Sequence, residues 1–98
     1  METDLHSSAA VVTAKPVAYM RQLCKHFGHK VDAEFGESSG WIEFSMGRCE
    51  LEADAAAGVL QLTVSAASEV ELERMREVIG SHLKRFGKRD ELSVSWDR

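Results

Sequence analysis

"WIEFSMGRCELEAD", residues 41–54, alternates apolar and polar side chains on both sides of a tight turn at Met46-Gly47. Ile42, Phe44, Cys49, Leu51 and Ala53 share one phase, while Glu43, Arg48, Glu50 and Glu52 share the other. Period-2 alternation around a glycine turn predicts an antiparallel hairpin with one face in a core and one in water. The same phase extends outward. "VDAEF" (31–35) sends Val31, Ala33 and Phe35 one way and Asp32 and Glu34 the other, and "GESSG" (36–40) is turn chemistry. "VLQLTVSA" (59–66) continues with Leu60, Leu62 and Val64. Four segments therefore predict an antiparallel meander.

The period changes on either side of the meander. "SEVELERMREVIGSHLKRFG" (68–87) opens with an S-x-x-E capping box at Ser68 and Glu71. Leu72, Met75, Ile79, Leu83 and Phe86 then follow a helical stripe, and Gly87 supplies the stop. "KPVAYMRQLCKHFG" (15–28) is a second helix. Pro16 lies in its first turn with Thr13 or Lys15 as cap, Tyr19, Met20, Leu23 and Phe27 form its apolar stripe, and Gly28 ends it. "AVVTA" (10–14) predicts a leading strand and "LSVSW" (92–96) a closing one. Residues 1–8 are polar and without period, which predicts a disordered tail before a single domain spanning 9–98. The expected fold is α+β in two layers: a mostly antiparallel sheet in the order β-α-β-β-β-β-α-β, with both helices packed on one face.

Composition bounds the function. A chain of 98 residues holds one modest core. The net charge of −4 disfavours nucleic acid and anionic membranes as partners. No apolar run approaches the roughly 18 residues that suggest a membrane span. "METDLHSSAA" lacks the apolar segment of a secretion signal, so the expected location is cytoplasmic, and Cys24 and Cys49 are expected as reduced thiols.

Three blocks, "YMRQLCKHFGHK", "GWIEFSMGRCELEAD" and "SHLKRFGKRDELSVSW", together with the element order, resemble the small bacterial family catalogued as domain of unknown function 2218. The likeness covers residues 10 to 97. It brings no catalytic or ligand residues with it. Similar domains are sometimes joined to flavin-dependent siderophore-interacting reductases, so the resemblance implies a link to iron or siderophore metabolism and a reductase as a protein partner.

"LCKHFGHK" (23–30) gathers a thiol and two imidazoles. About 160° separates Cys24 from His26 around a helix, so they do not grip one ion. His26 and His29 supply two nitrogens, and zinc needs at least a third protein ligand. His82 or Glu34 are the candidates for it. The simpler expectation is a helix terminus whose Lys25, His26 and Lys30 answer the helix dipole, with no metal. His82 falls in the apolar stripe of the second helix, which predicts an imidazole facing the interior with a hydrogen-bond partner. Cys24 and Cys49, both in apolar phases, are expected as small hydrophobes. Lys84, Arg85, Lys88 and Arg89, with Lys25 and Lys30, form one cationic rim if the helices run in parallel, and such a rim suits a small anionic ligand. Asp32, Glu34, Glu43, Glu50 and Glu52 share the polar sheet face with Arg48, Gln61 and Thr63. Trp41 lies in that phase too, a hint of partner binding.

No P-loop, G-x-G-x-x-G, G-x-S-x-G or zinc-finger spacing occurs. The favoured expectation is a non-enzymatic accessory or binding domain without a cofactor, using His26, His29, His82, Trp41, Arg85 and Arg89 toward a ligand or partner. The alternative is a small metal-dependent or acid–base enzyme built on His26, His29 and His82 with a sheet carboxylate. Convergence of those side chains around a cleft discriminates the two.

Overall fold

The chain crosses its own sheet to close it. The structure, a computed structural model, describes residues 4–97. Strand β1 (Leu5–Val12) is followed by α1 (Pro16–Phe27), then the meander β2 (Asp32–Phe35), β3 (Ser39–Phe44), β4 (Gly47–Asp54) and β5 (Val59–Ala66), then α2 (Glu69–Phe86) and a 3-10 turn at Lys88–Asp90. The strand order is β1-β5-β4-β3-β2, antiparallel at every junction. β1 and β2 are consecutive strands on opposite edges, so α1 must carry the chain across the sheet. This is the expected α+β architecture with both helices on one face.

Register turns the alternation into a core. Val11, Leu60 and Ala53 lie side by side on β1, β5 and β4, as do Ala9, Leu62 and Leu51, and Val64 and Cys49 continue the row toward Ile42 on β3. All are buried. α1 covers them with Tyr19, Met20, Leu23 and Cys24, and α2 with Leu72, Met75, Ile79 and Leu83. Each large aliphatic side chain removed from water contributes about 1.5–3 kcal/mol. The Ser68 hydroxyl accepts from the Glu71 amide at 3.2 Å and lies 3.3 Å from its carboxylate, so the capping box forms.

Three expectations are corrected. Residues 5–8, expected in a tail, are the first half of β1, paired with Thr63 through Ala66; residues 1–3 lie outside the described residues. The polar look of this segment misleads because the buried Ser7 hydroxyl has a partner, donating to Asp97 Oδ1 at 3.2 Å. The closing strand "LSVSW" does not form. Leu92, Val94 and Trp96 pack against the core, but among the described residues the segment's backbone reaches the sheet through one hydrogen bond, from Asp97 N–H to Ser8 C=O at 2.9 Å. Alternation records one-sided packing, and here the packing exists without the ladder. Finally, the basic groups of the two helix ends are divided between separate surfaces, with Lys84 in a groove beside Trp96 and Arg89 in the 3-10 turn next to Asp90. Tyr19, early in α1, donates its hydroxyl to Asp90 beyond the end of α2, whereas Phe27, at the end of α1, meets His82 inside α2 at 4.8 Å between ring centroids. One continuous cationic rim is therefore not built.

Both glycine stops work by space. Neither Gly28 (φ −63°) nor Gly87 (φ −100°) is left-handed. A Cβ on Gly87 would stand 2.3 Å from Leu92 Cδ1 and 3.2 Å from Tyr19 Cζ, so the glycine lets the chain after α2 lie close against α1.

Asp97 ties the last described residues to the sheet edge: its carboxylate also accepts from the Ser8 amide at 2.8 Å. Asp97→Ala is expected to speed hydrogen exchange at Ser8 and to cost about 1–2 kcal/mol of stability, read from urea denaturation. Unchanged exchange at Ser8 would show that the tether is not formed in solution.

Candidate functional site

The end of α1 packs against the last turns of α2, and the rings of His26, Phe27, His82 and Phe86 meet there. The His26 ring lies 5.0 Å from His82, 4.9 Å from Phe27 and 5.5 Å from Phe86, and Phe27 stacks edge-on to Phe44 of β3 at 5.0 Å. His82 is half-buried, short of the interior position its phase predicts. Its Nδ1 stands 2.7 Å from the Val78 carbonyl, so Nδ1 carries the hydrogen and donates, leaving the lone pair on Nε2. His26 and His29 are exposed.

Beside this aromatic cluster runs an open groove of about 530 Å³, lined by Ala18, Arg21, Gln22, Lys25, His26, His29 and Phe86. Among the described residues, no carboxylate lines it. Lys30 and Arg85 add their charge at His26. The His26 imidazole is held below its ordinary pKa, first because neighbouring side chains strip away water and then because His82, Lys30, His29 and Arg85 oppose a further positive charge.

Of the residues expected to act together, His26, His29, His82 and Arg85 are assembled here. Arg89 is not: it lies in the 3-10 turn next to Asp90, which joins Tyr19 and Lys15. Lys84 faces a different groove, beside Trp96. Glu34, the expected third metal ligand, lines a groove on the far face of the sheet. Among the described residues no three histidine, cysteine, aspartate or glutamate side chains are placed to hold a metal ion. The field of Lys25, Lys30 and Arg85 also opposes a divalent cation. Acid–base chemistry lacks its carboxylate for the same geometric reason.

The far sheet face forms a second surface. Trp41 is half-buried there, with the Arg48 guanidinium 4.7 Å from its ring centroid. Arg48 is bound to Glu43 at 2.9 Å and Glu50 at 3.1 Å. Trp41 sits between Glu34 and Glu50 in register, and the shallow groove of about 510 Å³ around it also takes in Glu52, Gln61 and Thr63. Several carboxylates thus face water with one cation already engaged.

Arg21 and Gln22 are groove residues that the motif search passes over. Their signal is compositional: residues 5–31 contain no Asp or Glu, yet include Lys15, Arg21, Lys25 and Lys30. Helix phase then selects Arg21, Gln22 and Lys25, on the side opposite Met20 and Leu23, for the solvent face.

Comparison with known proteins places the chain. The model of a family described as "Uncharacterized protein conserved in bacteria (DUF2218)" matches residues 8–97. The NMR structure of PA4090 from Pseudomonas aeruginosa is similar, with a TM-score of 0.78 and 30% identity, over 94% of this chain and 94% of that one. No curated protein matches the sequence.

Both cysteines are buried and free. Burial pushes the Cys24 thiol up to about 11 and raises Cys49 further. A disulfide-exchange reagent at about pH 8 is expected to leave the native protein unlabelled and to label both thiols once it unfolds; rapid native labelling would place a thiol at the surface. His26 gives a pH signature. Its folded-state pKa is lowered, so the unfolded chain takes up the proton first. Stability is therefore expected to fall as pH drops through the ordinary imidazole range near 6.5, and to level off below the folded value. His26→Gln is expected to remove that share of the decline, measured as urea midpoints on either side of the range.

Proposed function

The chain belongs to the DUF2218 family of uncharacterised proteins conserved in bacteria, and we propose that it is a binding domain for a small anionic ligand, held in the groove between α1 and the end of α2. One observation carries this reading. In a protein of net charge −4, the described residues lining the groove include Arg21, Lys25, His26 and His29 and no carboxylate. Arginine and lysine donors suit carboxylate, sulfonate or phosphate groups. The Phe86 and His26 rings beside them suit an apolar or aromatic body attached to the anion.

The resemblance to domains joined to siderophore-interacting reductases narrows the ligand class further, to anionic iron chelators and their ferric complexes. It also supplies a partner, a reductase. Trp41 and its surrounding carboxylates, on the face opposite the groove, favour a partner with a basic surface. Ligand and partner then occupy opposite sides of the molecule. An enzymatic role for His26, His29 and His82 is the weaker reading, because no carboxylate joins them and the groove is open to water.

Naphthalene-2-sulfonate is a suitable probe, since it carries a fixed charge on an aromatic body. Its titration is expected to shift amide resonances of residues 18–29 and 82–86. Arg21→Gln combined with Lys25→Gln is expected to weaken binding by about fivefold or more, and added salt to weaken it in the wild type. Absence of binding, or binding indifferent to both substitutions, would overturn the proposal.

A further inference from the structure

We infer that anion capture in this groove is coupled to uptake of one proton by His26, so that the site tightens as pH falls through neutrality. The inference rests on the anion-binding reading and adds its regulation.

The geometry sets His26 apart from the other two histidines. His82 reaches the cluster but does not line the groove, and its Nδ1–H is committed to the Val78 carbonyl. His29 lines the groove but lies beyond the end of α1, in the connection to β2. His26 does both: it borders the groove and touches the rings of Phe27, His82 and Phe86. Every charged or titratable group that bears on it is cationic or becomes so. Lys25 adjoins it on α1, His29 and Lys30 come from the following connection, and His82 and Arg85 come from α2. Among the described residues lining the groove there is no carboxylate to offset them.

In the empty groove a proton on His26 therefore meets only like charge and partial desolvation, and the ring is neutral near pH 7. A bound anion reverses the sign of its nearest neighbour. The imidazole nitrogen takes a proton from solvent, and the resulting imidazolium adds its attraction to that of Arg21 and Lys25. By linkage, whatever raises the proton affinity of His26 on anion binding must raise the anion affinity equally on protonation. His82 modulates the effect, since charge on either ring of the pair opposes charge on the other.

The test is calorimetric titration of naphthalene-2-sulfonate, which does not itself titrate in this range, into the full chain at about pH 8 and about pH 5.5, and at about pH 6.5 in buffers of different ionisation enthalpy. The expected result is affinity higher at the acidic end by up to about tenfold, corresponding to a tenfold rise in proton affinity on binding. The heat should depend on the buffer in the sense of proton uptake. His26→Gln should bind equally at both pH values with no buffer dependence, while His29→Gln should retain the coupling. Binding that senses Arg21→Gln and Lys25→Gln but ignores pH would overturn the coupling and leave the anion site standing. Coupling that survives His26→Gln would overturn the assignment to this residue. Absence of binding at every pH would overturn both the site and its regulation.

Discussion

Burial of a single sheet face under two helices governs the rest of this molecule. α1 lies over β2 to β5 and α2 over β1, β5 and β4, so the central strands β4 and β5 carry weight from both. Leu51, Leu60, Leu62 and Val64 meet the helix stripes there and leave no exposed surface worth counting. Such burial fixes strand phase absolutely, because a slip of one residue would send Glu50, Glu52 and Gln61 into the core. It also leaves the opposite face to water. The carboxylates of β2, β3 and β4 have only that face to occupy.

Charge separation follows from the same arrangement. A helix that must bury Met20, Leu23 and Cys24 presents Arg21, Gln22 and Lys25 outward, and α1 contains no acidic residue to balance them. The solvent side of α1 is thus basic, while the open sheet face is rich in carboxylates, despite a modest net charge. On the acidic side, Arg48 spends its donors on Glu43 and Glu50, which holds its own pKa above the usual arginine value. Among the described residues lining the groove beside α1, no carboxylate supplies such compensation.

Much of this was legible in the sequence, and the limits have physical causes. Periodicity found both helices and the four-stranded meander because one-sided burial imposes it. It placed "LSVSW" as a strand for the same reason: Leu92, Val94 and Trp96 do alternate inward, but alternation is blind to whether a neighbouring strand accepts the hydrogen bonds. It discarded "LHSSA" because Ser7 looks solvent-facing, and only the fold reveals that Asp97, distant in sequence, satisfies its hydroxyl. The histidines could be named but not assembled. Their convergence depends on how the two helices pack, and the packing that places His82 against His26 leaves Lys84 in a separate groove and Arg89 in the turn beside Asp90, which splits the cationic rim. The acid-free span over residues 5–31 was visible throughout; its meaning required knowing that α1 and the end of α2 share one groove.

The position of the groove at the end of α1 shapes what it can bind. The last carbonyls of a helix carry partial negative charge, and Lys25 in that turn already stabilises it. An incoming anion competes with those carbonyls for the same donors, so electrostatics alone supports only weak, salt-sensitive attachment. Two features offset the competition. Arg21 lies a turn earlier, with its guanidinium 5.9 Å from the ring centroid of Phe35, and is thereby less involved with the helix end. The rings of His26 and Phe86 offer contact area that salt does not screen. A compact inorganic ion uses only the first feature, whereas an aromatic or aliphatic body bearing an acid group uses both. On the proposed anion-binding reading, the packing that holds the helix end together therefore favours an acid group carried on an apolar body over a compact inorganic ion.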